Sequence, residues 1–367
     1  MPLIRPPGTF SPFYGRRKSF KPRPRHILPL SNRPDRHDGD GMKSVLRILI
    51  PALVLSIAAS ASQAASPQYV IVSFDGAKDN ALWERSLKLA DETGARFTYF
   101  LSCVYFIPPE AKAGYRAPGM RAGRSNVGFG DSPTDVQVRL GHVWSAYQSG
   151  HEIASHACGH FDGGDWSQAD WTAEFETFGS VMTKAWTASG ASAPAGWDGF
   201  VRRGIRGFRV PYLSTSAGLA PTLAEAGFAY DASGVSRGPQ APVRHHTMTG
   251  FALPMIPEGP SGRRIIAMDY NLFVRHSGGF ERASQADEFA ERSYQAFRNA
   301  FDAEYAGART PLQIGLHFQL MNGGAYWTAL ERFVRDVCVK PDVACVSYAD
   351  WLRANPHGDA DTAEAGG

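Results

Sequence analysis

YVIVSFDGAKDNALWERSLKLADETG, residues 69–94, sets the pattern from which the rest of the chain can be read. Tyr69 to Asp75 is a β-branched and aromatic run that reads as a strand. Ala81 to Thr93 places apolar residues at helical spacing, and Gly94 supplies the stop. Together they make one β–α unit. The unit recurs with strand Arg96–Leu101 and helix Thr134–Ser149, then with strand His151–Ser155 and a long helix from Ser167 to Ser189. Further strands are expected at 205–210, 228–231, 252–256, 264–270, 312–317 and 343–346. Helices are expected at 219–226, 284–306, 325–337 and 348–354, with Ser284 and Asp287 resembling a capping box.

Alternation of this kind implies parallel strands, in either an open sheet or a closed barrel. No GxGxxG follows the first strand, which removes the usual mark of a dinucleotide-binding sheet. Asp75, His156, Arg209, Asp231 and His317 all fall at or just after strand ends. Polar residues from so many strand termini meet only if the sheet closes. The expectation is therefore an α/β single domain, a distorted (β/α) barrel of seven or eight parallel strands with its site on the C-terminal face. Residues 102–130 and 232–250 are expected as rim loops.

The chain has 367 residues, 43% hydrophobic and 20% charged, a composition that builds a core and excludes general disorder. Met42 to Arg47 is a short basic stretch. An apolar run from Ile48 to Ala59 follows, too short to span a bilayer comfortably, and Ser62-Gln63-Ala64 offers small residues for cleavage. Residues 42–65 thus read as a signal peptide, 1–41 as a disordered Pro/Arg-rich extension from an upstream start, 66–355 as the barrel and 356–367 as a disordered tail. Export to the periplasm or beyond is expected, with no stable membrane insertion after cleavage. Of 38 Lys/Arg and 35 Asp/Glu, residues 1–65 hold 11 and 3, so the remainder carries a net charge of about −5, no footprint for nucleic acid. Four cysteines suit an oxidising compartment. Cys338 and Cys345 flank a Lys-Pro-Asp turn and Cys103 and Cys158 each follow a strand, which suggests those two pairs.

His156 and His160 stand four apart, a spacing that on a helical turn aims both imidazoles to one side, as a divalent metal requires. Five blocks then fall in order: Val72-Ser73-Phe74-Asp75, Gly150 to His160 (GHEIASHACGH), Arg209-Val210-Pro211-Tyr212, Tyr230-Asp231-Ala232-Ser233 and Gly315-Leu316-His317. In this order they resemble the polysaccharide deacetylase family, the NodB-homology domain of carbohydrate esterase family 4. Thr98 to Leu101 and the RVPYL block are most similar to its chitin-deacetylase-like branch.

The resemblance implies a hydrolase removing acetyl groups from an N-acetylated polysaccharide such as chitin, peptidoglycan or an exopolysaccharide. It also implies Zn2+ or another divalent metal on His156 and His160, with Asp75 as general base and Arg209 holding it ionised. His317 would be the general acid, and the backbone N–H of Tyr212 an oxyanion donor. Asp231 would orient His317, or alternatively cap its own loop. The family's first block has two adjacent aspartates, whereas Gly76 follows Asp75 here. Two imidazoles are one short of the three protein ligands usual in catalytic zinc sites, so Asp79 or Asp162 is needed if a third is to come from nearby. The competing readings are a catalytically silent glycan-binding barrel and an O-acetyl esterase acting on xylan-like polymers. Trp166, Trp171, Tyr326 and Trp327 are candidates for stacking on sugar rings or for the core.

Overall fold

The computed structural model describes residues 66–356 except His246. The expected extension, signal peptide and, beyond Pro356, tail lie outside the described residues. Strand β1 (Gln68–Gly76) is buried over nearly all its length, as an apolar run must be when a parallel strand is covered on both faces. Helix α1 (Asn80–Thr93) follows. Its first turn is capped by Asp79, which accepts from Leu82 N, and its end is closed by Gly94 in the left-handed region.

The remaining strands are β2 (Thr98–Leu101), β3 (Glu152–Ser155), β4 (Gly207–Phe208), β5 (Tyr230–Ser236), β6 (Val243–His245), β7 (Met248–Glu258), β8 (Arg263–Ile266), β9 (Leu312–His317) and β10 (Val343–Cys345). The helices are α2 (Pro133–Gln148), α3 (Gln168–Ala188), α4 (Trp197–Arg203), α5 (Leu219–Glu225), α6 (Asp269–Ser277), α7 (Ala286–Ala306), α8 (Ala325–Val337) and α9 (Tyr348–Ala354).

All ten strands join one sheet, in which β1 is flanked by β9 on one side and by β2 and β10 on the other. Strands β6 and β8 run antiparallel to β7, and the other eight pair in parallel. A bridge from Met268 to Gly315, with Gly315 N donating to Ala267 O at 2.9 Å, links the far end of the sheet back to β9. The sheet therefore curls on itself as the distorted (β/α) barrel that the alternation predicts.

Inside the barrel lie Ile71, Phe100, Ala154, Tyr230, Ala232 and Phe251, packed against Tyr348 and Trp351 of α9. Ala349 N, in α9, donates to Glu152 at the start of β3, which places α9 across the N-terminal ends of the strands. The larger hydrophobic cluster lies between the sheet and its helices, including α1, α2, α7 and α8. Trp171, Tyr326 and Trp327 are buried in these layers, which assigns them to the core.

Some boundaries depart from expectation. Ser167 caps α3 through a capping box with Asp170, but α7 has no side-chain cap, because a 3-10 turn at Ala283–Gln285 precedes it. The strand expected to Tyr270 stops at Ile266, and Asp269 opens α6 instead. The span 232–250 is only partly loop, since β5 continues to Ser236 and β6 and β7 pair across its far end. Helix α4 was not foreseen.

Both expected disulfides are present, Cys103–Cys158 and Cys338–Cys345. The first closes the longer loop, 55 residues in sequence separation, so chain-entropy arguments give it the larger stabilisation, about 4 kcal/mol against about 2. Replacing Cys103 and Cys158 together by Ser should lower the urea midpoint more than replacing Cys338 and Cys345.

Glu152 gives a second test of the interior. Burial pushes its carboxyl up to about 7, although Ala349 N and Thr98 Oγ1 donate to it and oppose the shift. The folded protein thus binds this proton more tightly than the unfolded chain. The contribution is full below the unfolded value near 4.5 and is lost as pH rises to about 7, by up to about 3 kcal/mol. Glu152→Gln, which stays neutral, should gain stability relative to the parent between pH 5 and pH 8 in urea denaturation. Equal changes at both pH values would contradict the assignment.

Candidate functional site

Register brings the candidate residues to one level. Asp75 of β1 is paired with His317 of β9, Leu101 of β2 with Ser155 of β3, and Ser155 with Phe208 of β4. His156 and Arg209 come immediately after those last two. The parallel strands therefore deliver an aspartate, two histidines and an arginine to their C-terminal edge, as barrel closure requires.

Arg209 is fully buried and every arm of its guanidinium is engaged. Nη1 donates to Asp75 Oδ1 at 2.8 Å and to Ser73 Oγ at 2.9 Å, Nη2 to the Tyr348 hydroxyl at 2.8 Å, and Nε to the Ala232 carbonyl at 3.1 Å. Its charge also lies 4.4 Å over the Phe100 ring. Burial alone would raise the Asp75 carboxyl, but Arg209, with His156 and His317, outweighs it and holds the group below the usual carboxylate range. Asp75 is thus an ionised acceptor at neutral pH.

The His156–His160 segment is a loop and not the helical turn the spacing suggested. Ala157 and His160 both adopt left-handed φ, 56° and 54°. The two imidazoles still approach, with ring centroids 5.1 Å apart. His156 Nδ1 lies 2.7 Å from the Arg209 carbonyl, and a carbonyl only accepts, so Nδ1 carries the proton and Nε2 keeps its lone pair. Burial pushes the His156 ring down. His160 falls to about 3 through burial and the neighbouring His156 and His317 charges. Its Nδ1 is buried without a hydrogen-bond partner among the described residues.

Two neutral imidazoles, one oriented by a carbonyl and one with an unmatched buried nitrogen, form a donor set that suits a divalent cation. No third His, Cys, Asp or Glu joins them in a metal-holding group among the described residues. Asp79 is committed to capping α1, and Asp162 Oδ1 accepts from Gly164 N at 2.9 Å. Gly76, next to Asp75, sits at φ +88°, and a Cβ there would meet Tyr105 Cε2 at 3.6 Å.

His317 Nδ1 lies 2.7 Å from Asp269 Oδ1, and its backbone N donates to Asp269 Oδ2, also at 2.7 Å. Burial lowers the ring's proton affinity, but Asp269, by charge and by hydrogen bond, reverses that and raises it. The partner expected at Asp231 is therefore corrected to Asp269. Asp231 Oδ1 instead accepts from Ser233 N and Oγ, and Ser233 Oγ in turn accepts from Val210 N at 2.8 Å. Asp231 thus braces the turn after Arg209. Asp269 was missed because the apolar run 264–270 reads as one strand. The signal available was an acid heading a helical spacing of Leu272 and Phe273.

Tyr212 follows Pro211 with φ 60°, and its ring packs edge-on against His160 at 4.6 Å. Asn126 Nδ2, on the loop after β2, bonds both the His160 carbonyl at 3.0 Å and the Tyr212 hydroxyl at 3.4 Å. Of the candidate set, Asp75, His156 and Arg209 are buried, whereas His160, Tyr212, Asp231 and His317, the last with 28% of its side chain exposed, are half-buried.

No protein-family model matches the sequence, and no curated protein is similar to it. Among solved structures the chain is similar to a probable polysaccharide deacetylase from Pseudomonas aeruginosa, at 17% identity and TM-score 0.47, covering 78% of this chain and 91% of that one. It is also similar to a family 4 carbohydrate esterase from Streptomyces lividans in complex with acetate, at 14% and 0.38, covering 76% and 92%. A third is a carbohydrate esterase family 4 pseudoenzyme from Bacillus anthracis, at 10% and 0.41, covering 78% and 66%. At such identities and scores no activity is read from them.

Proposed function

We propose that this chain is a hydrolase that removes acetyl groups from an acetylated glycan, with Asp75 as general base and His317 as general acid. One observation carries the reading. An aspartate whose proton affinity is lowered and a histidine whose proton affinity is raised occupy paired positions on adjacent strands, beside a pair of neutral imidazoles. Titratable neighbours whose proton affinities are pushed apart are the usual signature of an assigned base and acid.

A divalent cation held by His156 and His160 would supply a hydrolytic water at neutral pH and polarise the acyl carbonyl. Asp75 takes the proton of that water, and Arg209 keeps the carboxylate charged and in place while it does so. His317, raised by Asp269, gives its proton to the departing amine or alcohol. The backbone N–H of Tyr212 is the candidate donor to the oxyanion. The chemistry then balances as water plus an acetyl amide or ester giving acetate and a free amine or hydroxyl.

We further propose export from the cytosol, directed by residues 42–65, with which the two disulfides agree. Zinc titration combined with acetate release from N-acetylglucosamine oligomers, and in parallel from acetylated xylan, tests the reading and ranks amide against ester. Acetate release is expected from at least one polymer and should depend on added metal. That two imidazoles find no third protein ligand among the described residues favours a second reading, a glycan-binding barrel without turnover. Glycan binding with no acetate release under any divalent metal would establish that reading instead.

A further inference from the structure

The buried stripe of α3 runs Trp171, Glu174, Phe178, Met182, Ala185. Such a stripe is ordinarily apolar, so a carboxylate on it must find its own donors. Glu174 is 1% exposed and has three. Cys158 N donates to Oε1 at 3.0 Å, Gly159 N to the same oxygen at 3.4 Å, and the Tyr115 hydroxyl donates at 3.0 Å. Two of these are the backbone amides between the paired imidazoles.

That loop is costly to hold. Left-handed φ at the non-glycine residues Ala157 and His160 is unfavourable, and such conformations persist only where the surroundings over-determine them. The surroundings here are identifiable. Cys158 is bonded to Cys103, Cys103 N donates to the Ala157 carbonyl at 3.1 Å, and Asn126 N donates to the Gly159 carbonyl at 2.9 Å. Glu174 takes the amides that point the other way. The Tyr115 hydroxyl that donates to Glu174 also excludes a side chain at Gly159, where a Cβ would lie 2.5 Å from it and 2.6 Å from the Phe161 ring.

We infer that Glu174 is a positioning residue for the imidazole pair. By accepting from Cys158 N and Gly159 N, it fixes the strained loop in the form that sets His156 and His160 together. The inference rests on the proposed function in its metal half.

The test is a zinc titration against a chromophoric chelator, together with the visible spectrum of the cobalt-loaded protein, on the full chain. Glu174→Ala, Glu174→Gln and Met182→Ala are compared, each under conditions where circular dichroism shows the variant folded. Glu174→Ala should weaken zinc binding by about 10–100-fold and alter the cobalt spectrum. Glu174→Gln keeps an acceptor oxygen and should stay within a few-fold of the parent. Met182→Ala, on the same stripe, should lose stability while leaving affinity and spectrum alone. Unchanged affinity and spectrum in Glu174→Ala, or an equal loss in Met182→Ala, would overturn the inference.

A parent protein that binds neither metal would overturn the metal half of the proposed function. Positioning is then read in the metal-free protein from the imidazole proton–nitrogen resonances of His156 and His160. These should be single in the parent and multiplied or displaced in Glu174→Ala, and identical spectra would sink the assignment.

Discussion

Replacing Asp75 by Asn is expected to cut acetate release by about 10²–10⁴-fold, the range that a positioned proton acceptor contributes. It should also lower stability by about 3–5 kcal/mol, because Arg209 is fully buried and would keep its charge without the carboxylate that answers it. The two effects can be separated. Adding Arg209→Met to Asp75→Asn removes the stranded charge, so part of the stability should return in urea denaturation while activity stays lost. Activity surviving in the single variant would remove Asp75 from the chemistry. A double variant no more stable than the single one would show that the pair is not coupled as drawn.

The second large effect belongs to His317. Loss of its ring in His317→Ala should reduce turnover of an acetamide by about 10²–10⁴-fold, whereas an aryl acetate with an acidic leaving group should be much less affected, since it departs without a proton. Asp269→Asn probes the same proton more gently. Asp269 raises the affinity of His317 for its proton, and the acid must be protonated to act, so activity falls as pH climbs through that value. Removing the charge should shift the alkaline limb of the pH–rate profile to lower pH, with the acidic limb, set by Asp75, largely unmoved. An alkaline limb that stays in place would assign it to another group.

The strand and helix alternation was legible because buried parallel strands are written as unbroken apolar runs, and β1 is the clearest case. Placement of Asp75, His156, Arg209 and His317 at one level followed from their positions at strand ends. What sequence could not show was contact made across the chain. His317 finds its carboxylate 48 residues away in α6, at a point where the apolar run disguises a helix start. Ala157 and His160 are ordinary residues in left-handed conformations, and nothing in HACGH announces that, beside the expected disulfide, a loop asparagine and a carboxylate on α3 hold them there. Asp231 sits at a strand end like the others and left two readings open, and its bonds to Ser233 select the one in which it caps its own loop.

The left-handed backbone at Gly76 bears on which single substitution could add a donor to the imidazole pair. Space beside Tyr105 would admit a side chain, but any L-residue at that φ carries a conformational cost of order 1–3 kcal/mol. A Gly76→Asp substitution therefore starts with that cost before any gain in cation binding it confers. A new donor placed elsewhere on the rim, at a residue with ordinary φ, would add to cation binding without that conformational cost.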